Sequence, residues 1–101
     1  MNNHMKERLI GITAEIERIR TELGILEERR SDHCRILERR RAQMLVAETP
    51  LADHEYRLAR EDYDRVESRI EELEAERLSL ERERDDLLCL LGTQPPEAQV
   101  G

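Results

Sequence analysis

Two apolar stripes run along this chain at coiled-coil spacing, and they fall out of phase at Pro50. Each stripe steps alternately by four and three residues, the 3.5-residue repeat of helices that bury one seam against a partner helix. The first stripe contains Met5, Leu9, Ile12, Ile16, Ile19, Leu23, Leu26, Arg30, His33, Leu37, Arg40, Met44 and Ala47. The second contains Ala52, Tyr56, Ala59, Tyr63, Val66, Ile70, Leu73, Arg77, Leu80, Arg84, Leu87 and Leu91. Extending the first stripe in unbroken phase reaches polar residues, so the pattern predicts an all-α fold, a long antiparallel two-helix coiled-coil hairpin.

Residues that stop and start helices set the predicted boundaries. Thr49 precedes a proline, which disfavours helix at that position, and Thr at the N-cap with Pro next is a typical helix start. Gly92 and the later Pro95-Pro96 end the second helix. We therefore predict a frayed N-terminus at 1–4 and a hairpin domain at 5–91. Within that domain, helix 5–47, turn 48–50 and helix 51–91 follow one another, and a disordered tail occupies 92–101.

The composition favours association of the hairpin with a second copy of itself. Charged residues make up 41% of the chain and aromatic residues only 2%, a mixture that suits long helices with one apolar stripe rather than a globular core. A thinner set of apolar residues lies beside the seams: Ile10, Ile25, Ile36, Leu45, Leu58, Leu78, Leu88 and Leu90. Such residues suit packing of two hairpins into a four-helix bundle, so we expect a homodimer.

Several function classes are disfavoured by the sequence. The formal net charge of −7 argues against nucleic-acid binding, direct or sequence-specific, because phosphate contacts need a basic surface. Metal-ligand spacing, nucleophile motifs and phosphate loops are absent, so we expect no enzyme activity, metal or cofactor. The chain has no long apolar run or signal-peptide pattern, which predicts a cytoplasmic protein without membrane contact. An antiparallel hairpin also keeps Cys34 and Cys89 too far apart for a disulfide.

Two groups of residues are candidates for contact with a protein partner. Around the turn, backbone ends, charge and apolar residues converge, and the candidates there are Glu48, Asp53, Glu55 and Tyr56. A secondary candidate is the basic run formed by Arg35, Arg39, Arg40 and Arg41. Charged residues within the seams, including Arg30 and Arg77, are expected to extend their long side chains to neighbouring carboxylates.

The start of the second helix resembles the N-terminal coiled-coil hairpin of the GreA-type transcript cleavage factors. That family carries E-Y-x-x-A-R-E followed by R-I-x-x-(I/L)-E. The matching residues here are Glu55-Tyr56, Ala59-Arg60-Glu61, Arg69-Ile70 and Leu73-Glu74, with Glu22-Leu23, Leu26 and Arg29-Arg30 upstream. The resemblance implies a hairpin that enters the secondary channel of bacterial RNA polymerase. The acidic residues with which that family holds Mg²⁺ fall on Thr49 and Ala52, while Glu48 and Asp53 are displaced by one residue. The expectation is therefore a channel-occupying regulator without cleavage activity.

Two alternatives stay open. One is a structural dimerisation or adaptor coiled coil, for which the heptads alone are sufficient. The other is a helical-hairpin sigma-factor antagonist of the kind gated by a cyclic dinucleotide, which this chain resembles in size and charge. Only fragments of that class's helix motif are present, Glu27-x3-Ser31 and Arg39-x3-Gln43.

Overall fold

The chain forms an all-α helical hairpin of two long helices, as the phase shift predicts. The computed structural model describes residues 3–92, and it contains α1 at Asn3–Ala47 and α2 at Pro50–Leu90. Asn3 and His4, predicted to belong to a frayed end, are the first helical residues, and α2 begins one residue earlier than predicted. The predicted tail at 92–101 lies outside the described residues apart from Gly92. Neither described helix has a segment long and apolar enough to cross a membrane.

Two capping devices reverse the chain between the helices. Glu48 has φ of 51°, and its amide donates to the Met44 carbonyl at 3.2 Å, which is the hydrogen bond of an αL helix end. The Thr49 side chain accepts a hydrogen bond from the Ala52 amide at 3.2 Å. That bond makes Thr49 the N-cap of α2, and Pro50, the last residue of the predicted turn, takes the first helical position. The reversal is therefore set by local chemistry.

The far end of α2 also terminates as its sequence indicates. Gly92 has φ of 81°, a left-handed conformation that glycine adopts without steric cost. Its amide donates to the Cys89 carbonyl at 3.1 Å, one of the two hydrogen bonds of a Schellman helix end.

Burial follows the two stripes closely. Every stripe position from Met5 to Met44 and from Ala52 to Leu91 is buried or half-buried, and Ala47 beside the turn is the exception. The most deeply buried members are Ile12, Ile16, Ile19, Leu23, Leu26, Ala52, Ala59, Ile70 and Leu73. The coiled-coil register that the sequence predicts is thus the one that the structure adopts.

Contacts divide the chain into two compact units. Unit 1 comprises the described residues of Met1–Glu22 and Leu73–Gly101. Its core contains Ile12, Ile16 and Ile19, which are almost completely buried. On its surface Arg8 donates two hydrogen bonds to Glu83, at 2.7 and 2.9 Å, and this pairing lowers the pKa of the Glu83 carboxyl.

Unit 2 is the continuous segment Leu23–Glu72, which contains the turn. Arg30 contacts Glu67 at 3.0 Å and Arg40 contacts Glu55 at 2.9 Å. From the first of these contacts to the second, the residue number on α1 rises by ten and the residue number on α2 falls by twelve. This is the pattern expected of antiparallel helices. Both arginines occupy seam positions, so the prediction that seam arginines reach carboxylates is confirmed for this unit. The prediction is wrong for Arg77 of unit 1, whose buried Nε has no hydrogen-bond partner among the described residues.

Candidate functional site

Unit 2 has two chemically different faces, one on each side of its seam. In heptad notation the seam residues are a and d, and residues at e and b lie on one side while those at g and c lie on the other. The side of e and b is here called the Tyr56 face, and the side of g and c the Ile36 face. Three grooves of unit 2 follow this division, since each is lined by seam residues and by side chains from one face only.

The Tyr56 face carries an open groove of about 540 Å³. Its lining combines both tyrosines with a thiol and charged side chains, namely Cys34, Leu37, Glu38, Arg41, Tyr56, Arg60 and Tyr63. These tyrosines are the only Phe, Trp or Tyr residues of the chain, and they lie seven positions apart, so they project from the same side of α2. The groove therefore concentrates the chain's large planar side chains at one place.

A second groove of the Tyr56 face lies next to the turn. It has a volume of about 330 Å³ and is lined by Met44, Asp53, Tyr56 and Arg57. Tyr56 borders both grooves, so its ring separates two neighbouring depressions. Its hydroxyl accepts a hydrogen bond from Arg60 at 3.4 Å, and Arg60 also contacts Asp64 at 3.6 Å.

Electrostatics distinguish the charged groups of this face. Burial raises the pKa of the Tyr63 phenol above its ordinary value, the negative charge of Glu67 adds to the shift, and Arg30 opposes it. Arg41 is exposed and makes no ion pair or side-chain hydrogen bond with any other described residue, in contrast to Arg60. Arg41 therefore offers the groove an arginine whose donors are not engaged within 3–92.

The predicted turn residues do not form one cluster. Glu48 lies exposed in the turn, and Asp53 is exposed in the first turn of α2, where it borders the groove beside Tyr56. Glu55 lies on the Ile36 face, where it accepts a hydrogen bond from Arg40. The structure thus brings Asp53 and Tyr56 together and places Glu55 elsewhere.

The predicted basic run is also divided. Arg40 is half-buried in the seam between Glu55 and Gln43, which accept hydrogen bonds from it at 2.9 and 3.1 Å. Arg39 lies on the Ile36 face and Arg41 on the Tyr56 face, because consecutive helical residues point about 100° apart. Arg35 points away from the seam and pairs with Asp32 one turn earlier. These four arginines therefore do not form one basic surface.

The Ile36 face is more apolar. Its groove of about 200 Å³ is lined by His33, Ile36, Arg40, Glu55, Leu58, Ala59 and Asp62. Ile36 and Leu58 remain 42% and 47% exposed, and Val46 and Leu51 are exposed on the same face close to the turn. Ile36 and Leu58 belong to the apolar set predicted beside the seams, whereas Val46 and Leu51 do not, although both occupy heptad position c.

Three further groove residues were not among the predicted site candidates. They are Cys34, Arg60 and Tyr63, which border the groove with Arg41. Their heptad positions, e for Cys34 and Arg60 and a for Tyr63, would have indicated the Tyr56 face.

Both cysteines are free thiols. The positions at which the GreA-type family has acidic residues are the capping Thr49 and the buried Ala52. Within 3–92 no group of three or more His, Cys, Asp or Glu side chains is arranged to hold a metal ion.

Comparison of the chain with protein-family models, curated proteins and solved structures gives no match. The candidate site is accordingly defined by its own geometry, a two-tyrosine groove with a neighbouring acidic turn.

Proposed function

We propose that this hairpin is a non-enzymatic regulator that binds a protein partner through the turn and the Tyr56 face of unit 2. The observation that carries the proposal is the groove in which Tyr56, Tyr63 and Arg41 meet. Tyrosine and arginine are the residue types that most often dominate the energy of protein interfaces, because they combine large contact area with directional hydrogen bonds.

The groove also has the physical form of a binding surface. It is open, and both tyrosines are half-buried in the seam, so their rings are held before a partner arrives. Ordered side chains lose less conformational entropy on association than free ones. Arg41 supplies an unengaged donor for an acidic group of the partner, and Asp53 supplies an acceptor for a basic one.

RNA polymerase is the first partner that we propose. The resemblance to the GreA-type hairpins includes Tyr56 and Arg60, which both border the groove. The proposal is limited to occupancy of the polymerase channel and does not include metal-assisted RNA cleavage. In support of that limit, Thr49 and Ala52 serve as helix cap and core residue and carry no carboxylate.

The test compares two arginine variants that change charge equally. Arg41→Glu alters the groove, whereas Arg82→Glu alters an exposed arginine of unit 1. With fluorescently labelled chain and purified bacterial RNA polymerase, we expect Arg41→Glu to weaken binding by about tenfold or more. We expect Arg82→Glu to bind within about twofold of the unmodified chain, as for a charge outside an interface.

Either of two results would contradict the proposal. Absence of saturable binding to the polymerase would remove that partner. If the unmodified chain and the Arg41→Glu variant captured the same proteins from native lysate in equal amounts, the Tyr56 face would not be the binding surface.

A structural adaptor is the second candidate, favoured by exposed apolar side chains in unit 1. Ile10, Leu78 and Leu90 of that unit are all exposed, and none of them lines the groove. An adaptor of this kind would bind partner helices through these residues. Substitution of Ile10 by Glu would then abolish partner capture while Arg41→Glu left it unchanged.

A further inference from the structure

We infer that the Ile36 face of unit 2 is a docking surface for a second copy of this chain. Two hairpins pack through this face about a two-fold axis near Ile36, with their turns pointing in opposite directions. This inference does not depend on the proposed function, because it uses the face opposite to the Tyr56 groove.

Exposed apolar side chains are concentrated on one face. Unit 2 has six large hydrophobic residues that are exposed, and five of them occupy positions c and g of the Ile36 face: Ile25, Ile36, Val46, Leu51 and Leu58. The sixth, Leu45, occupies position b on the Tyr56 face. Exposed apolar side chains on one side of a two-helix seam, even when interspersed with charged ones, are what a hairpin needs to form a four-helix bundle.

The charges of this face fit a second copy better than a foreign charged surface. Positions c and g of unit 2 hold four basic and four acidic side chains: Arg29, Arg39, Arg65, Arg69, Asp32, Glu55, Asp62 and Glu72. Their sum is zero, although the whole chain has a net charge of −7. Two copies that approach through this face therefore avoid the repulsion that their net charge would otherwise cause.

The order of these charges selects the orientation of the two copies. On α1, Arg39 lies on the turn side of Ile36 and Asp32 lies on the other side. A two-fold axis near Ile36 with opposed turns places Asp32 of one copy opposite Arg39 of the second copy, because a two-fold interface is self-complementary.

The second helix supports the same orientation. Along α2 the acidic Glu55 and Asp62 lie nearer the turn, and the basic Arg65 and Arg69 lie farther from it. Opposed turns bring the acidic half of one α2 toward the basic half of the other. With both turns at the same end, α1 would instead pack on α2 of the second copy, where the like-charge contact of Arg29 with Arg69 would offset the favourable contact of Asp32 with Arg65.

The area of the face is sufficient for a specific dimer. The span from Ile25 to Val46 is about 32 Å at 1.5 Å per residue, and two adjacent helices are about 20 Å wide. The face thus offers roughly 640 Å² per copy, within the range of about 600–1,000 Å² that each partner buries in a standard interface.

The first experiment is sedimentation equilibrium of matched variants. Ile36→Glu and Leu58→Glu place a carboxylate on the Ile36 face, and Leu45→Glu places one at an exposed site on the Tyr56 face. The unmodified chain should sediment as a dimer at micromolar concentration. The first two variants should raise the dimer dissociation constant by about a hundredfold or more, since each change occurs twice in a symmetric interface, and Leu45→Glu should change it by less than about threefold.

Helical circular dichroism separates loss of association from loss of folding. Ile36 and Leu58 are already partly exposed in the hairpin, so both variants should keep a helical spectrum and a cooperative melt. A mass of one chain for the unmodified protein would overturn the inference, as would dissociation by Leu45→Glu with retention of the dimer by Ile36→Glu.

Crosslinking tests the orientation. In a background with Cys34→Ser and Cys89→Ser, Ile36→Cys should form a covalent dimer with a short bis-maleimide reagent, because the two-fold axis brings residue 36 next to its own copy. Val46→Cys in the same background should react poorly, since opposed turns separate these positions. Efficient crosslinking at position 46 with none at 36 would overturn the opposed-turn arrangement.

Discussion

The two units differ in how α1 fills the seam, in one unit with buried isoleucines and in the other with half-buried and partly charged side chains. In unit 1, α1 contributes Ile12, Ile16 and Ile19, each at most 3% exposed. In unit 2 the seam residues of α1 from Arg30 to Met44 are only half-buried, and they include two arginines that are paired with carboxylates. β-Branched residues at the seam favour close packing, whereas arginines and tyrosines leave open grooves. We therefore expect the α1 isoleucines of unit 1 to contribute more to stability than the half-buried stretch of α1 in unit 2.

The largest effect should come from the isoleucine seam of unit 1. Ile16→Ala removes a side chain that is 2% exposed and should lower the free energy of unfolding by about 3 kcal/mol, through lost burial and the cavity that remains. Urea denaturation followed by circular dichroism measures this change. Ile10→Ala is the control, because Ile10 is 70% exposed and its loss should cost less than about 0.5 kcal/mol. Equal losses would contradict the difference in burial between Ile16 and Ile10.

The cap at the turn should have the next largest effect. Thr49→Ala removes the oxygen that accepts the Ala52 amide and should destabilise the hairpin by about 1 kcal/mol. Thr21→Ala in unit 1 is the matched control, since its hydroxyl only donates back to the Glu17 carbonyl within α1. A smaller loss for Thr49→Ala than for Thr21→Ala would show that the turn of unit 2 does not depend on this cap.

A seam arginine of unit 2 should respond in the opposite direction. Arg30→Leu makes the seam apolar beyond Leu26, and we expect a gain in stability of about 1 kcal/mol despite the loss of the contact with Glu67. Glu67 stays partly exposed, so its charge remains solvated. The same urea experiment measures the gain. A loss above about 1 kcal/mol would indicate that this ion pair stabilises unit 2.

The smallest effects are changes of stability with pH, and a rise in pH should act with opposite signs on the contributions of Glu83 in unit 1 and Tyr63 in unit 2. In unit 1 the pKa of Glu83 is lowered by hydrogen bonds from Arg8, so its contribution to stability is present above the unfolded pKa and is lost as pH falls through the folded pKa. In unit 2 burial raises the pKa of Tyr63, so its contribution is present below the unfolded pKa and is lost as pH rises through the folded pKa.

Two titrations check these directions. Carboxyl NMR should show that Arg8→Gln raises the pKa of Glu83 toward its ordinary value. Ultraviolet titration of Tyr56→Phe, which isolates Tyr63, should give a pKa above the ordinary 10.0 of tyrosine. A Tyr63 pKa below that value would contradict the half-buried position of its ring.

Much of the fold could be predicted because its causes are local or periodic. The phase shift at Pro50, the Thr49 cap and the terminal Gly92 act through neighbouring residues, so their roles are visible in the chain itself. The sites were less predictable. The run from Arg39 to Arg41 suggests one basic surface, but consecutive residues of a helix point in different directions. Arg40 therefore lies in the seam, Arg39 on the Ile36 face and Arg41 on the Tyr56 face. Glu55 similarly follows Asp53 closely yet pairs with Arg40 on the other side.

The amino-acid pattern alone determined that this chain is a helical hairpin, which residues fill its seam and where it turns. The heptad period and the capping residues are sufficient for these features, because each depends on spacing along one helix. The tertiary structure alone decided which side chains from different helices meet. The groove between Tyr56, Tyr63 and Arg41 and the separate Ile36 face exist because the register across the seam brings distant residues together, and that register depends on packing between helices.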